Sequence, residues 1–277
     1  MPRAASALLM LFAASLCAAP VPWIEPVPLD VHSSERGGRV EGDIDGRLEY
    51  PFDGLRAVFA DPAVWCGIVA LHLNVKACVH VRRGGTTWLR VYNGKKDFQR
   101  PEDAVVAEYA FAAREAAGRR LTVVLTADDG PYGTHDHRIE LVLEPAANPA
   151  YTHLTLRYRY RVSFLARASL QVYLETVARG KIGFTVTGED ARGEPEYVKG
   201  LRGLIERNAV RYYLAIVAWL DGTSQPPRAA LWRAARWYDL TERYARQLHE
   251  LDRNAYLANK RRELAAQAEL QAQVIGP

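Results

Sequence analysis

Residues 197–221, YVKGLRGLIERNAVRYYLAIVAWLD, carry apolar side chains at helical spacing. Tyr197, Leu201, Leu204, Ile205, Ala209, Tyr212, Tyr213, Ile216 and Leu220 recur on one broad stripe. At about 1.5 Å per residue the helix would run for roughly 37 Å, long for a surface helix on a small domain. A stripe of that width needs a wide apolar surface to lie on. The fold therefore turns on what the rest of the chain offers as that surface, and on whether the space between is solid or hollow.

The upstream chain offers strands. In RVEGDIDGRLEY (39–50), Val40, Gly42, Ile44, Gly46, Leu48 and Tyr50 share one face, and Glu41, Asp43, Asp45, Arg47 and Glu49 the other. Strict alternation of this kind marks a half-buried strand. Gly42 and Gly46 remove side chains from the buried face, which suits a bend or a bulge. PFDGLRAVFADPAVWCGIVAL follows, with a short helix opened by Pro51 and a second turn after Asp61-Pro62 carrying Trp65. Alternation then resumes. Leu71, Leu73, Val75, Ala77, Val79 and Val81 oppose His72, Asn74, Lys76, Cys78, His80 and Arg82. Five further runs follow at short intervals, ending in THLTLRYRYRV, where Leu154, Leu156, Tyr158, Tyr160 and Val162 face one way. The connections hold Gly, Pro, Asp or Asn, as in antiparallel meanders. FLARASLQVYLETVA reads as a helix with Leu165, Ala168, Val172 and Tyr173 on its apolar side.

Each strand has one apolar face, so the sheet needs a cover on one side only, and the long helix supplies it. The order is strand, two short helices, six strands, an inserted helix and a long helix. That order, with the Pro-helix-Asp-Pro-x-x-Trp segment at 51–65, resembles the START-like, birch-allergen-like helix-grip superfamily (SRPBCC) over about residues 40–221. The resemblance implies an α+β fold: a curved antiparallel sheet of about seven strands gripping a long C-terminal helix. It also implies a cavity for lipids, sterols or polyketides, or cyclisation or hydrolysis chemistry in the same place. The chain departs from that pattern by an insertion at 164–194 and by its N-terminus.

That N-terminus, Arg3 followed by AASALLMLFAASLCAA, is too short for a comfortable membrane span and reads as a secretory signal peptide, residues 1–19. Pro20 after Ala19 and Leu16 before Cys17 fit a cleavage site and a lipoprotein site poorly; a lipid anchor on Cys17 is the minor alternative. The expected location is the periplasm or the exterior. Cys66 and Cys78 remain after cleavage, and two thiols in an oxidising compartment can pair. A formal charge of +4 on 277 residues, with cations scattered among acids, gives no nucleic-acid footprint, and 49% apolar residues suffice for a large core.

The expected organisation is an entry segment at 20–38, a helix-grip domain at 39–222 and a helical extension at 223–277. In the extension Leu231, Trp232, Tyr238, Tyr244, Leu248 and Leu251 suit packing on the domain or on a partner. Trp232, Trp237 and Tyr244 among arginines also suit a membrane surface. Past Asn254 the apolar positions are mostly Ala, which reads as a solvated arm.

The chemistry-bearing residues are few. His135 and His137 share a strand spacing that suits a metal, with Asp128 or Asp129 as a third ligand, but the stretch also reads as a polar turn, and no metal or cofactor is expected. His72 and His80 fall on the polar strand face and are expected in solvent. Tyr109, Tyr158, Tyr160 and Tyr212 should point inward, where they either bond to one another or line a pocket. With Gly200, Leu201, Ile205 and Ile216 they form the candidate ligand-binding set. Gly200 and Gly203 would let the helix approach sheet or ligand closely. The functional expectation is an exported binding or transfer protein for a hydrophobic small molecule or lipid. The alternatives are an enzyme on such a substrate, with tyrosines or the Asp128/Asp129/His135/His137 loop as acid and base, and a scaffold that binds a protein through 223–277.

Overall fold

A computed structural model describes residues 29–116, 118–176, 178–223 and 229–275. The signal segment at 1–19 lies outside the described residues. Eight strands form one antiparallel sheet: β1 (Asp30–Arg36), β2 (Arg39–Leu48), β3 (Val75–Arg83), β4 (Thr86–Asn93), β5 (Val105–Ala116), β6 (Arg120–Asp129), β7 (Thr134–Pro145) and β8 (Thr152–Val162). The order is β1-β2-β8-β7-β6-β5-β4-β3. The entry segment thus supplies an edge strand, β1, that raises the expected count of about seven to eight.

Between β2 and β3 lie α1 (Phe52–Phe59) and α2 (Pro62–Val69). Asp61 caps α2 by accepting from the Ala63 N–H at 2.8 Å, and Pro62 fills the first helical position, where a missing N–H costs nothing. After β8 come α3 (Phe164–Glu175), the hairpin β9 (Val186–Glu189) and β10 (Pro195–Tyr197), and α4 (Gly200–Asp221). The long helix α4 lies along β1, β2 and β8. Gly42 and Gly46 serve this approach: a Cβ at Gly42 would stand 3.1 Å from Ile205, and one at Gly46 would stand 3.0 Å from the Tyr213 ring. The register of β2 with β1 and β8 is continuous, so the strand carries no bulge. The architecture is that of the helix grip, a sheet closed around a long helix.

Two expectations about faces are corrected. In β3 the register shifts between Val75 and Ala77, which turns Cys78 and His80 inward opposite Val91 and Leu89. Ala77 and Val79 point outward instead, yet are fully buried. In α3, Leu165, Ala168 and Val172 face solvent, while Ala166, Leu170 and Leu174 dock against the cluster of Val40, Tyr160, Val162, Leu201 and Ile205.

The C-terminal region explains the burial of Ala77 and Val79. It folds as α5 (Ala229–Thr241), α6 (Ala245–Leu248) and α7 (Arg253–Ile275). Helix α7 runs along β3, with Leu270 and Val274 packed on Ala77, Val79 and Tyr92. Gln267 Oε1 accepts from the Cys78 N–H at 2.8 Å and Gln271 Oε1 from the His80 N–H at 2.9 Å, so side-chain amides satisfy an edge strand that lacks a neighbour. Tyr256, Lys260 and Glu263 are fully buried. The solvated arm expected past Asn254 is therefore a wall of the domain. Trp237, read as part of a membrane face, is buried as well, and its Nε1–H donates to the Arg211 carbonyl at 2.9 Å.

Buried charge ties these layers together. Glu263 sits between two buried ammonium groups, 2.7 Å from Lys76 and 2.8 Å from Lys260. Each ammonium also donates to two backbone carbonyls: Leu73 and Asp97 for Lys76, His72 and Val75 for Lys260. On α4, the buried Glu206 accepts from Ser33, from the Phe184 and Thr185 N–H groups and from the Thr185 hydroxyl, which fastens the helix to β1 and to the loop before β9. Cys66 and Cys78 form a disulfide with Cα atoms 5.0 Å apart, joining α2 to β3 across a separation of 12 residues. Closing so short a loop contributes about 3 kcal/mol in the chain-entropy account.

Candidate functional site

The concave side of the sheet gathers an aromatic and imidazole cluster under α4. Its centre is His137. A bulge in β7 between His135 and Arg138, with Asp136 at φ 54°, puts the two histidines in different environments. His135 stays 40% exposed beside Asp136, whereas His137 is 3% exposed and points in. This separation removes the shared strand face that a His135/His137 metal pair would need. Among the described residues no group of three His, Cys, Asp or Glu side chains is placed to hold a metal ion. Gly130 makes room for the buried ring: a Cβ there would lie 2.0 Å from His137 Nε2.

The hydrogen bonds around His137 assign its proton. Thr134 donates its hydroxyl hydrogen to the Pro131 carbonyl at 2.6 Å. Its oxygen is then free to accept, and His137 Nε2 lies 2.8 Å away. Nε2 therefore carries the hydrogen and Nδ1 keeps a bare lone pair. Two phenols approach that lone pair, Tyr109 at 3.4 Å and Tyr158 at 3.5 Å. Tyr160 stacks on the imidazole at 5.3 Å between ring centres. Burial, with His135 adding, lowers the His137 pKa to about 4, so the ring is neutral at pH 7.

The cluster continues across to α4. Tyr158 meets Tyr212 edge to face at 6.4 Å, and Tyr212 stacks on His72 at 5.1 Å. Burial raises the hydroxyl pKa of Tyr109 and Tyr158 and pushes that of Tyr212 up to about 12, so all three are proton donors at neutral pH. His72, expected in solvent, is buried. Its Nδ1 accepts from the Asn74 N–H at 3.2 Å, and burial, with Arg211 and Lys260 nearby, lowers its pKa. The Asn208 side chain of α4 approaches the His72 ring, and the Nδ1 of His80 is buried without a hydrogen-bond partner among the described residues.

Several side chains on these inner faces are less fully covered than their neighbours. Phe111, Ile139 and Tyr158 on the sheet, and Leu204, Asn208 and Tyr212 on α4, remain half-buried, although residues beside them such as Leu125, Ile205 and Ala209 are fully buried. These half-buried groups leave a partly accessible strip between the sheet and α4. Asn208 and Tyr212 stand one helical turn apart, so the two polar groups of α4 face into it together.

The expected set divides on this map. Tyr109, Tyr158, Tyr160 and Tyr212 meet around His137. Ile205 and Ile216 are closed into the core at 0% and 1% exposure. Gly200 and Leu201 line a different cavity, at the start of α4 beneath α3. Gly200 adopts φ 67° with nothing within 4 Å of where a Cβ would stand, and Gly203 packs against the Val198 carbonyl and Gly183, so neither glycine brings α4 onto the sheet. His72, His137 and Asn208 join the tyrosines, and His80 turns inward on β3. Their inward direction depends on the β3 shift, the β7 bulge and the helix phase. Of these, the Asn208/Tyr212 spacing was the signal open to sequence reading.

The convex face differs. Arg157, Arg159 and Arg161 pair with Asp43 and Glu140, with Glu41, and with Asp136. Exposed pairs of this kind contribute little, about 0–1 kcal/mol each. No described helix is long and apolar enough to cross a membrane.

No protein-family model matches the chain, and no curated protein matches it. Solved structures do. CalU16 from Micromonospora echinospora matches 79% of this chain and 99% of its own, at 14% identity and a TM-score of 0.34. Truncated norcoclaurine synthase from Thalictrum flavum matches 56% of this chain and 91% of its own, at 12% identity and a TM-score of 0.35. A conserved protein of unknown function from Enterococcus faecalis matches 86% and 91%, at 9% identity and a TM-score of 0.34.

Proposed function

We propose that the chain is an exported binding or transfer protein that holds a mostly apolar small molecule in the chamber between α4 and the sheet. The observation that carries this reading is the half-burial of Phe111, Ile139, Tyr158, Leu204 and Tyr212 on opposed inner faces. An apolar ligand would cover that surface at roughly 25 cal/mol for each Å². Tyr158, Tyr212 and Asn208 would orient its polar group. Export is supported by the apolar leader after Arg3 and by the Cys66–Cys78 bond, which suits an oxidising compartment.

A second reading is supported by one specific arrangement. His137 Nδ1 is a neutral base within reach of two phenols, and such a trio can relay a proton to or from a bound molecule. The chamber would then act as an acid–base site on the same apolar substrate.

The test is binding of the neutral fluorophore phenylnaphthylamine to the mature protein, followed by competition with sterols and long-chain alcohols. Saturable binding that Leu204→Trp abolishes supports the chamber. Absence of binding, or binding unchanged in Leu204→Trp, counts against it. Proton exchange at an activated carbon of a bound ketone, lost in His137→Phe, would favour the second reading.

A further inference from the structure

A second cavity, of about 630 Å³, lies beneath α3 at the start of α4. Its lining residue Leu201 also belongs to the packed cluster of Val40, Tyr160, Val162 and Ile205. Its lining is amphipathic. Leu174, Ala178 and Leu201 supply an apolar side. Arg167, Arg179, Lys181 and Lys199 supply cations, set against the carboxylates of Glu35 and Glu175.

The partners of these charges are uneven. Arg167 is held by Glu35, Lys181 is held by Glu250, and Glu175 accepts from Gln171 at 2.9 Å. Arg179 and Lys199 make no ion pair among the described residues. Two cations thus lack an ion pair and face the Glu175 carboxylate, which no cation holds, so the lining keeps a surplus of positive charge beside its apolar side. Lys181 is 29% exposed, and burial lowers its pKa despite Glu250. The first turn of α4 adds backbone donors: Lys199 makes no side-chain cap, and no acidic residue stands in that turn.

We propose that this cavity is a second ligand site, one that takes an amphipathic anion, a carboxylate or phosphate head on an alkyl chain. The head sits between Arg179 and Lys199, and the chain lies on Leu174, Ala178 and Leu201. α3 is the wall that must shift to admit it, since its Leu170 and Leu174 form one side of the packed cluster. The site takes a charged ligand that the tyrosine-lined chamber has no cation to neutralise, so the two sites differ in ligand class.

The test uses the full mature chain and titrates dodecyl phosphate, dodecanoate, dodecanol and inorganic phosphate by calorimetry, with phenylnaphthylamine as the chamber probe. Dodecyl phosphate and dodecanoate should bind, with affinity falling as salt rises. Arg179→Ala/Lys199→Ala should weaken both by roughly 10- to 100-fold, the range expected for hydrogen bonds to a charged group, and leave phenylnaphthylamine binding unchanged. Conversely, Leu204→Trp should remove the chamber probe and spare the anions, so loss of the chamber reading would leave this one standing. Three results would overturn the proposal: dodecanol binding as tightly as dodecyl phosphate, inorganic phosphate binding as tightly, or anions that displace the chamber probe stoichiometrically. Circular dichroism of the double variant, whose two side chains are exposed, checks that any loss is not unfolding.

Discussion

Replacing Thr134 by valine keeps the side-chain shape and removes the oxygen that orients His137. That oxygen makes two bonds, one to the Pro131 carbonyl at 2.6 Å and one from His137 Nε2 at 2.8 Å. Losing them leaves a buried imidazole N–H without an acceptor, and the combined cost is about 2–4 kcal/mol. For a chain of this size about 3 kcal/mol corresponds to a fall in Tm of roughly 6–12 °C. The chemical consequence is more specific than the loss of stability. Without Thr134 the ring gains by moving its hydrogen to Nδ1, where Tyr109 and Tyr158 can accept it. Nitrogen NMR of the labelled imidazole at neutral pH reads the tautomer directly. Wild type should show Nε2–H and a bare Nδ1, and Thr134→Val should shift toward Nδ1–H. A wild-type ring already protonated on Nδ1, or a variant unchanged in both tautomer and Tm, would refute the assignment.

Other consequences can be checked as directly. The His137 pKa of about 4 lies below the ordinary 6.5, so the unfolded chain binds the extra proton first and stability falls as pH drops through that window. The contribution lost on going from pH 7 to pH 5 is about 2 kcal/mol, and denaturant melts of His137→Phe should show a shallower acid slope than wild type. Glu263→Gln leaves the buried Lys76 and Lys260 without their shared counter-charge, and should cost roughly 3–5 kcal/mol in a urea melt. Gln267→Ala and Gln271→Ala strip the cover from the β3 edge and should speed hydrogen exchange of the Cys78 and His80 amides, with β6 amides unaffected. Gly130→Ala places a methyl against His137 Nε2 and should destabilise by about 1–3 kcal/mol through overpacking.

Period and order made the grip legible in the sequence. The alternation in β2 and β8 and the long stripe of α4 each have a single physical reading, because a strand exposes every second side chain and a helix every third or fourth. Faces were lost where the period breaks. One shifted residue at Lys76 reverses the sides of β3, and one extra residue at Asp136 separates His135 from His137. Neither break has a composition cue. The tail was misjudged for another reason. Helix α7 presents Lys260, Glu263, Gln267 and Gln271 to the domain, and polar residues on a docked face look like a solvated surface until their partners are known. Those partners, Lys76 and the β3 edge amides, lie almost two hundred positions earlier. The inward tyrosines were readable individually; their meeting at His137 was not, because it depends on the same bulge.

The central claim is that packing leaves a chamber between α4 and the sheet. A crystal of residues 20–277 under xenon pressure tests it most directly, because xenon enters apolar cavities and scatters strongly. The account predicts xenon density bounded by Phe111, Ile139, Tyr158, Leu204 and Tyr212, displaced when phenylnaphthylamine is soaked in. Crystals with no xenon there, and with those side chains closed onto one another, would contradict it.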